Sequence, residues 1–143
     1  MPSVFRKSHG YLRFLFSTKD KELYRNYKII TGRRPNNIAL YERATRHVSA
    51  AELNDQGIKE SYERLEYLGD AILGMVVAEL LFKRFPFKEE GFLTELRSKI
   101  VNRESLNNLS KKIGLKGLVK YHKHKGSSVS HKSVYGDSLE ALI

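Results

Sequence analysis

The chain has 143 residues, 41% of them hydrophobic, a formal net charge of +10 and no cysteine. That is the size of one domain able to bury a substantial core, and it excludes disulfides and thiolate metal sites. No apolar run reaches transmembrane length, and basic residues break up the weakly apolar start M-P-S-V-F-R-K-S-H-G-Y-L-R-F-L-F with no cleavage pattern after it, so a soluble, cytoplasmic protein without a membrane partner is expected.

The elements expected along the chain are helices. After a basic lead over residues 1–18, Ser17 or Thr18 can cap a helix running to about Ile30 and stopped by Gly32 and the turn R-R-P-N-N. Asn36 or Asn37 caps a second helix from Ile38 to about His47. Residues 49–62 read as loop. A long helix runs from about Glu63 to Phe85 and stops at Pro86, which cannot continue it. Because Ala71 to Phe82 is apolar nearly all round, this helix is expected to be buried in the core. Another begins near Gly91, with Leu93, Leu96 and Ile100 at helical spacing, and Asn102 caps its successor, in which Leu106, Leu109 and Ile113 repeat the pattern up to Gly114. The basic stretch Y-H-K-H-K-G-S-S-V-S-H-K then leads to a last helix at the chain end.

Two acidic clusters stand out: Glu63, Glu66 and Asp70 in E-R-L-E-Y-L-G-D-A, and Asp137 and Glu140 in Y-G-D-S-L-E-A-L. At 100° per residue the first three fall within about 60° of one another on a helix. The last two share a face at i and i+3. Carboxylates packed together repel, so either some keep their protons or a cation sits among them. Structural ion pairs with Arg64, Arg97 or Lys99 are the plainer reading of any one acid; both clusters together favour a divalent metal.

The charge is unevenly spread. Residues 1–34 carry nine Lys/Arg against two acids and residues 97–132 ten against one, whereas residues 35–96 hold seven bases and eleven acids. Basic flanks around an acidic centre suit a polyanion held electrostatically while one phosphate meets a metal.

E-R-L-E-Y-L-G-D-A resembles the signature of the ribonuclease III family, the double-strand-specific endoribonucleases, and Y-G-D-S-L-E-A-L-I resembles that family's second acidic motif. E-G-F-L-T-E-L-R-S-K-I-V-N-R-E-S-L and L-Y-E-R-A-T-R-H-V-S are similar to its intervening and upstream helices. The resemblance implies an all-α ribonuclease III endonuclease-domain fold, with the catalytic domain over residues 19–143. It also implies that Glu66, Asp70, Asp137 and Glu140 bind the metal, that Asp70 and Glu140 matter most for catalysis, and that Glu63 and Glu90 lie at the edge of the site. The implied cofactor is Mg2+, which suits oxygen ligands, with Mn2+ able to substitute. The implied reaction is phosphodiester hydrolysis of double-stranded RNA, leaving 5′-phosphate and 3′-hydroxyl ends, in rRNA and mRNA processing. A non-catalytic RNA-binding or ribosome-associated module on the same fold is the alternative.

Family members generally act as homodimers, and Tyr67, Leu68, Ile72 and Met75 suit either an apolar interface or an ordinary core. Duplex RNA is read by shape and phosphates, for which Arg97, Lys99, Arg103, Lys120, Lys123, Lys125 and Lys132 are candidates. Bacterial members continue past the last helix into a double-stranded RNA-binding domain, whereas this sequence stops three residues after Glu140. It reads as a catalytic domain cut short, with Asp137 and Glu140 in a turn expected to fray. His122, His124 and His131 are too loosely spaced for zinc. His47 reads as a packing or hydrogen-bonding residue. Ser138 has no base to activate it, and Tyr62 stands where the family often has a smaller polar residue.

Overall fold

The computed structural model describes residues 18–122 and 133–143, and the chain divides into two compact units between Ile38 and Ala39. Its helices are α1 (Thr18–Thr31), α2 (Ile38–Ala44), α3 (Glu63–Arg84), α4 (Glu90–Ile100), α5 (Arg103–Lys112) and α6 (Val134–Ala141), with short 3-10 turns at Val48–Ala50 and Leu115–Gly117. Among the described residues there is no strand, only isolated bridges pairing Arg46 with Lys120 and Leu53 with Lys59. The fold is all-α. Among the same residues, no helix is long and apolar enough to cross a membrane.

In the first unit, α1 ends where Gly32 turns to a φ of 73°, a backbone that only glycine adopts without strain. Thr31 Oγ1 donates to the Tyr27 carbonyl at 2.9 Å, and the Arg34 guanidinium lies over the Tyr24 ring, 5.2 Å from its centroid.

The second unit is organised about α6, which packs against both α3 and α5. Asn102 caps α5 by accepting from the Ser105 N–H at 2.8 Å, satisfying one of the donors a helix start leaves free. Gly114, at φ 85°, stops the chain after α5. The inner face of α5 buries Leu106, Asn107 and Ser110, and α6 buries Val134, Gly136, Ser138 and Leu139. Those α6 side chains are small where they meet α5: a Cβ on Gly136 would come within 3.3 Å of Leu106 Cβ.

The α3–α6 crossing is closer still. A Cβ built on Gly69 would lie 1.7 Å from the Glu140 carbonyl oxygen, so the two backbones touch at a place where only glycine fits. This crossing carries the second acidic motif to the first.

Two expectations are corrected. Helix α2 ends at Ala44 rather than near His47, because residues 45–47 leave the helix to join the bridge: the Lys120 N–H donates to the Thr45 carbonyl at 2.8 Å and the His47 N–H to the Lys120 carbonyl at 2.9 Å. Thr45 is buried, its Oγ1 donating back to the Tyr41 and Glu42 carbonyls, each at 3.2 Å. Helix α3 is not a core helix. Only Gly69, Val77 and Leu81 are buried in it, while Tyr67, Leu68, Met75, Val76, Leu80 and Phe82 are exposed. An apolar circumference predicts burial only where other elements reach it, and the core takes up only part of this one. The last turn of α6 carries bonds from the Leu142 N–H to the Leu139 carbonyl and from the Ile143 N–H to the Glu140 carbonyl, both 3.1 Å.

The crossing gives a paired prediction. Gly69→Ala drives a methyl into a backbone carbonyl and is expected to cost about 3 kcal/mol or more, the upper range for overpacking. Gly74, on the same helix, has open space where its Cβ would be, and Gly74→Ala is expected to stabilise by about 0.5–1 kcal/mol through helix propensity. Urea unfolding of both variants checks this; a Gly69→Ala protein as stable as the parent would contradict the close approach.

Candidate metal centre

The acids reach the site from α3 and α6. Glu63 and Glu66 lie in the first turn of α3 and Asp137 in the first turn of α6, where the positive end of the helix dipole favours negative charge. The crossing at Gly69 then sets one first turn beside the other. Ligand oxygens of Glu66, Asp137 and Glu140 come to lie within 4.8 Å of one another. They line a cleft of about 670 Å³ together with Glu63, Tyr67, Asp70, Val101, Arg103, Leu106 and Gly136.

The cluster is electrostatically costly. Partial burial, with the charges of Asp137, Glu63 and Asp70, pushes the Glu66 carboxyl up to about 7. Burial, with Asp70, Glu66 and Asp137, does the same to Glu140. Arg103, on the cleft wall, opposes both shifts. Among the described residues no lysine or arginine makes a salt bridge with Glu63, Glu66, Asp70, Asp137 or Glu140; the four ion pairs are Arg43–Glu60, Lys83–Glu79, Lys99–Glu95 and Lys120–Glu42. The ion-pair reading of the acids is therefore not what the geometry gives. Converging oxygens whose repulsion Arg103 only partly offsets are the donor set a hard divalent cation fits.

The sequence-predicted residues separate into those the cleft gathers and those it does not. Glu66, Asp137 and Glu140 form the tight group, and Asp70 lines the same cleft but stands outside that group, exposed one turn further along α3. Glu63 lines the cleft and accepts from Ser61 Oγ at 3.3 Å. Within one chain Glu90 stands apart from this cleft. It starts α4, accepts from Thr94 Oγ1 at 2.7 Å and lines a different hollow with Phe82, Leu93 and Arg97, because Pro86 and the turn after α3 carry α4 away from the first turn of α3. Of the candidate phosphate contacts, Arg103 is on the cleft wall, Arg97 lies in the hollow with Glu90, Lys99 is tied to Glu95 one turn back, and Lys120 is paired with Glu42. Lys123, Lys125 and Lys132 lie outside the described residues.

His47 has the local role expected of it: its Nδ1 accepts from the Ser49 N–H at 3.1 Å and lies 2.8 Å from Ser49 Oγ. Ser138 is fully buried with no hydrogen-bond partner among the described residues, which removes it as a nucleophile. His122 donates its backbone N–H to Ser49 Oγ at 3.0 Å, and His124 and His131 lie outside the described residues.

Two site residues were not legible as such. Tyr62 is buried and donates its hydroxyl to Asp137 Oδ2 at 3.3 Å; burial and the charges of Asp137 and Glu66 hold its phenol far above the ordinary range, hence neutral. Asn107 is buried beside it in function if not in sequence, its Oδ1 accepting from the Gly136 N–H at 2.9 Å and its amide donating to the Arg103 carbonyl at 2.8 Å. The only available signal was a large hydroxyl-bearing residue directly before Glu63.

This architecture has known relatives. Residues 63–143 match the family model of the Ribonuclease III domain, which is more than half of the chain, and the chain belongs to the ribonuclease III family. It is 47% identical over 140 residues to a protein named Ribonuclease 3 from Bacteroides thetaiotaomicron, covering 98% of this chain and 44% of that one. A Ribonuclease 3 from Flavobacterium psychrophilum is 37% identical over 128 residues, covering 89% and 51%. The chain thus spans about half the length of the curated relatives it matches. Among solved structures, a nuclease domain of ribonuclease III from Campylobacter jejuni, described as showing structural flexibility in a region involved in dimer formation, superposes with a TM-score of 0.67 at 27% identity, covering 82% of this chain and 79% of that one.

The raised carboxyls set a pH dependence. In the folded protein without divalent ions, Glu66 and Glu140 keep their protons to about pH 7, whereas in the unfolded chain they lose them from about 4.5. Between those values the folded state binds more protons, so stability falls as pH rises; the two groups interact, so the fall belongs to the pair. Relative to Glu140→Gln, the parent is expected to lose melting temperature between pH 5 and 7.5 in a chelator, and to regain it on adding millimolar Mg2+ or Mn2+. Parallel pH profiles for the two proteins would contradict the placement of Glu140.

Proposed function

We propose that this chain is the catalytic part of an endoribonuclease that cleaves double-stranded RNA by metal-dependent phosphodiester hydrolysis, leaving 5′-phosphate and 3′-hydroxyl ends. The observation that carries the reading is the convergence of Glu66 on α3 with Asp137 and Glu140 on α6, in a member of the ribonuclease III family. The catalytic domain is taken as residues 19–143, behind a basic lead over residues 1–18. Its setting is the cytoplasm, in the processing of rRNA and mRNA precursors.

Glu66, Asp137 and Glu140 are the proposed ligands of the cation, with Asp70 completing the set from the rim. Mg2+, or Mn2+ in its place, would supply there a Lewis acid for a phosphodiester oxygen and for the water that attacks it. The remaining work falls to the chain itself. Arg103, whose charge reaches both Glu66 and Glu140, attracts the RNA phosphate to a cleft that otherwise repels it. Glu63, at the edge, is the group to order water or a 2′-hydroxyl. The bases of residues 97–132 lie in sequence around these acids, and their number implies binding that weakens steeply with salt.

A homodimer is proposed as the working form. Leu68, Met75 and Val76, 57%, 63% and 48% exposed, repeat at helical spacing along α3, and an uncovered apolar face of this kind is unusual for a monomer. The same face explains why an apolar helix is left outside the core. Sedimentation is expected to show a dimer, and Met75→Glu to shift it to monomer; a monomeric parent at micromolar concentration would contradict this reading.

The reaction is tested with a perfect RNA duplex, with and without Mg2+. Glu140→Gln is expected to lower the cleavage rate by about a hundredfold or more, the loss of a few kcal/mol of charge stabilisation, while duplex binding in a gel-shift assay changes by less than threefold. Binding without cleavage by the parent protein at every metal concentration would favour the non-catalytic RNA-binding module instead.

A further inference from the structure

Tyr62 is not on the cleft wall but touches one of its acids, Asp137, and the proposed reaction gives it no part. It sits at the entrance to α3, 2% exposed. Its backbone is held on both sides: its N–H donates to the Arg46 carbonyl at 2.9 Å, and its carbonyl accepts from the Leu65 and Glu66 N–H groups, both at 2.8 Å. Its ring meets His47 edge to face, with centroids 5.7 Å apart. That leaves the hydroxyl one direction, toward Asp137 Oδ2 at 3.3 Å.

A phenol has a single proton to donate, and this one goes to a carboxylate of the acid group. The donor is neutral, and that matters. A lysine or arginine in the same place would neutralise Asp137 and compete with a cation for it, whereas a hydroxyl orients the carboxylate and leaves its charge intact. The backbone beside Asp137 is tethered separately, through the Gly136 N–H to Asn107 Oδ1 at 2.9 Å. Helix α5 thus fixes the main chain one residue before Asp137, and Tyr62 fixes the Asp137 side chain. Without the second tether, repulsion from Glu66 and Glu140 would favour rotamers that swing the carboxylate away.

We propose that Tyr62 is a positioning residue of the cation site, its hydroxyl fixing the Asp137 carboxylate in the orientation that brings a ligand oxygen to Glu66 and Glu140. The inference rests on the reading of those acids as cation ligands. It adds a group from the loop before α3 to a site otherwise built on α3 and α6.

The test is Tyr62→Phe, which keeps the ring and its packing on His47. Mn2+ binding to the full chain is measured by calorimetric titration, with the melting temperature in chelator and duplex cleavage followed as a function of Mn2+. The variant is expected to bind Mn2+ about tenfold more weakly, as removal of an outer partner of a metal ligand does, with an unchanged melting temperature. Cleavage should need about tenfold more Mn2+, recover its full rate when Mn2+ is saturating, and keep its KM for RNA. Mn2+ affinity within twofold of the parent overturns the inference and leaves the reading of the acids standing. A fall of several degrees in melting temperature would make the hydroxyl a support of the fold and overturn it as well. Absence of Mn2+ binding to the parent protein removes the reading of the acids, and this inference with it.

Discussion

Everything at the cleft depends on one close approach. Helices α3 and α6 cross with the Glu140 carbonyl against Gly69, at a distance that leaves no room for a side chain. Helices that meet through ordinary side chains keep their axes about 8–10 Å apart, and at that spacing carboxylates on their facing sides would point past one another. Glycine at the crossing lets the backbones touch. Glu66 lies one turn before the contact on α3, Asp70 follows it directly, and Asp137 and Glu140 sit on the facing side of α6. The acidic residues and the glycine among them are therefore parts of one device.

That device stores repulsion. Burial raises the carboxyls of Glu66 and Glu140, neighbouring acids raise them further, and Arg103 relieves only part of it. The rest of the second unit is arranged so that the repulsion does not push the acids apart. The two first turns present their dipoles to the charge. Asn107 holds the backbone of Gly136, next to Asp137, and Tyr62 holds the Asp137 carboxylate. The loop carrying Tyr62 is itself anchored by the two-pronged Arg43–Glu60 pair, at 3.0 and 2.6 Å, and by the bridge of Arg46 to Lys120. A cluster kept together against its own charge is preorganised for a cation and loses little when one arrives.

Placement of apolar surface follows a second logic. The core of the second unit is small, made of Ala44, Tyr62, Val77, Leu81, Leu106, Leu115, Val134 and Leu139, and much of it lies where α5 and α6 interdigitate. Helix α3 is apolar beyond what this core can accept. Its outer face, with Leu68, Met75 and Val76, and the nearly bare Phe87 that follows it, stays exposed, and it is the feature on which the homodimer proposal rests.

Much of this was legible in the residues alone. Pro86, Gly32, Gly114 and the Asn102 cap are local signals that act over one or two turns, so helix ends could be read to within a residue or two. The i, i+3 and i+4 spacing of the acids gave their faces for the same reason: helical periodicity is a property of a short stretch of chain. What lay beyond reach was every feature made between distant segments. Gly69 could not be read as the contact with Glu140, nor Tyr62 as the partner of Asp137, because those pairs lie about seventy positions apart and only docking of α6 joins them. Glu90 shared the acidic character of the site, yet the turn at Pro86 carried it into another hollow. The sequence by itself determined which helices form and which carboxylates can share a face, since both depend on neighbours along the chain. Only the tertiary structure decided which faces meet, which acids converge and which apolar side of α3 stays uncovered, since those depend on how closely two backbones can pack.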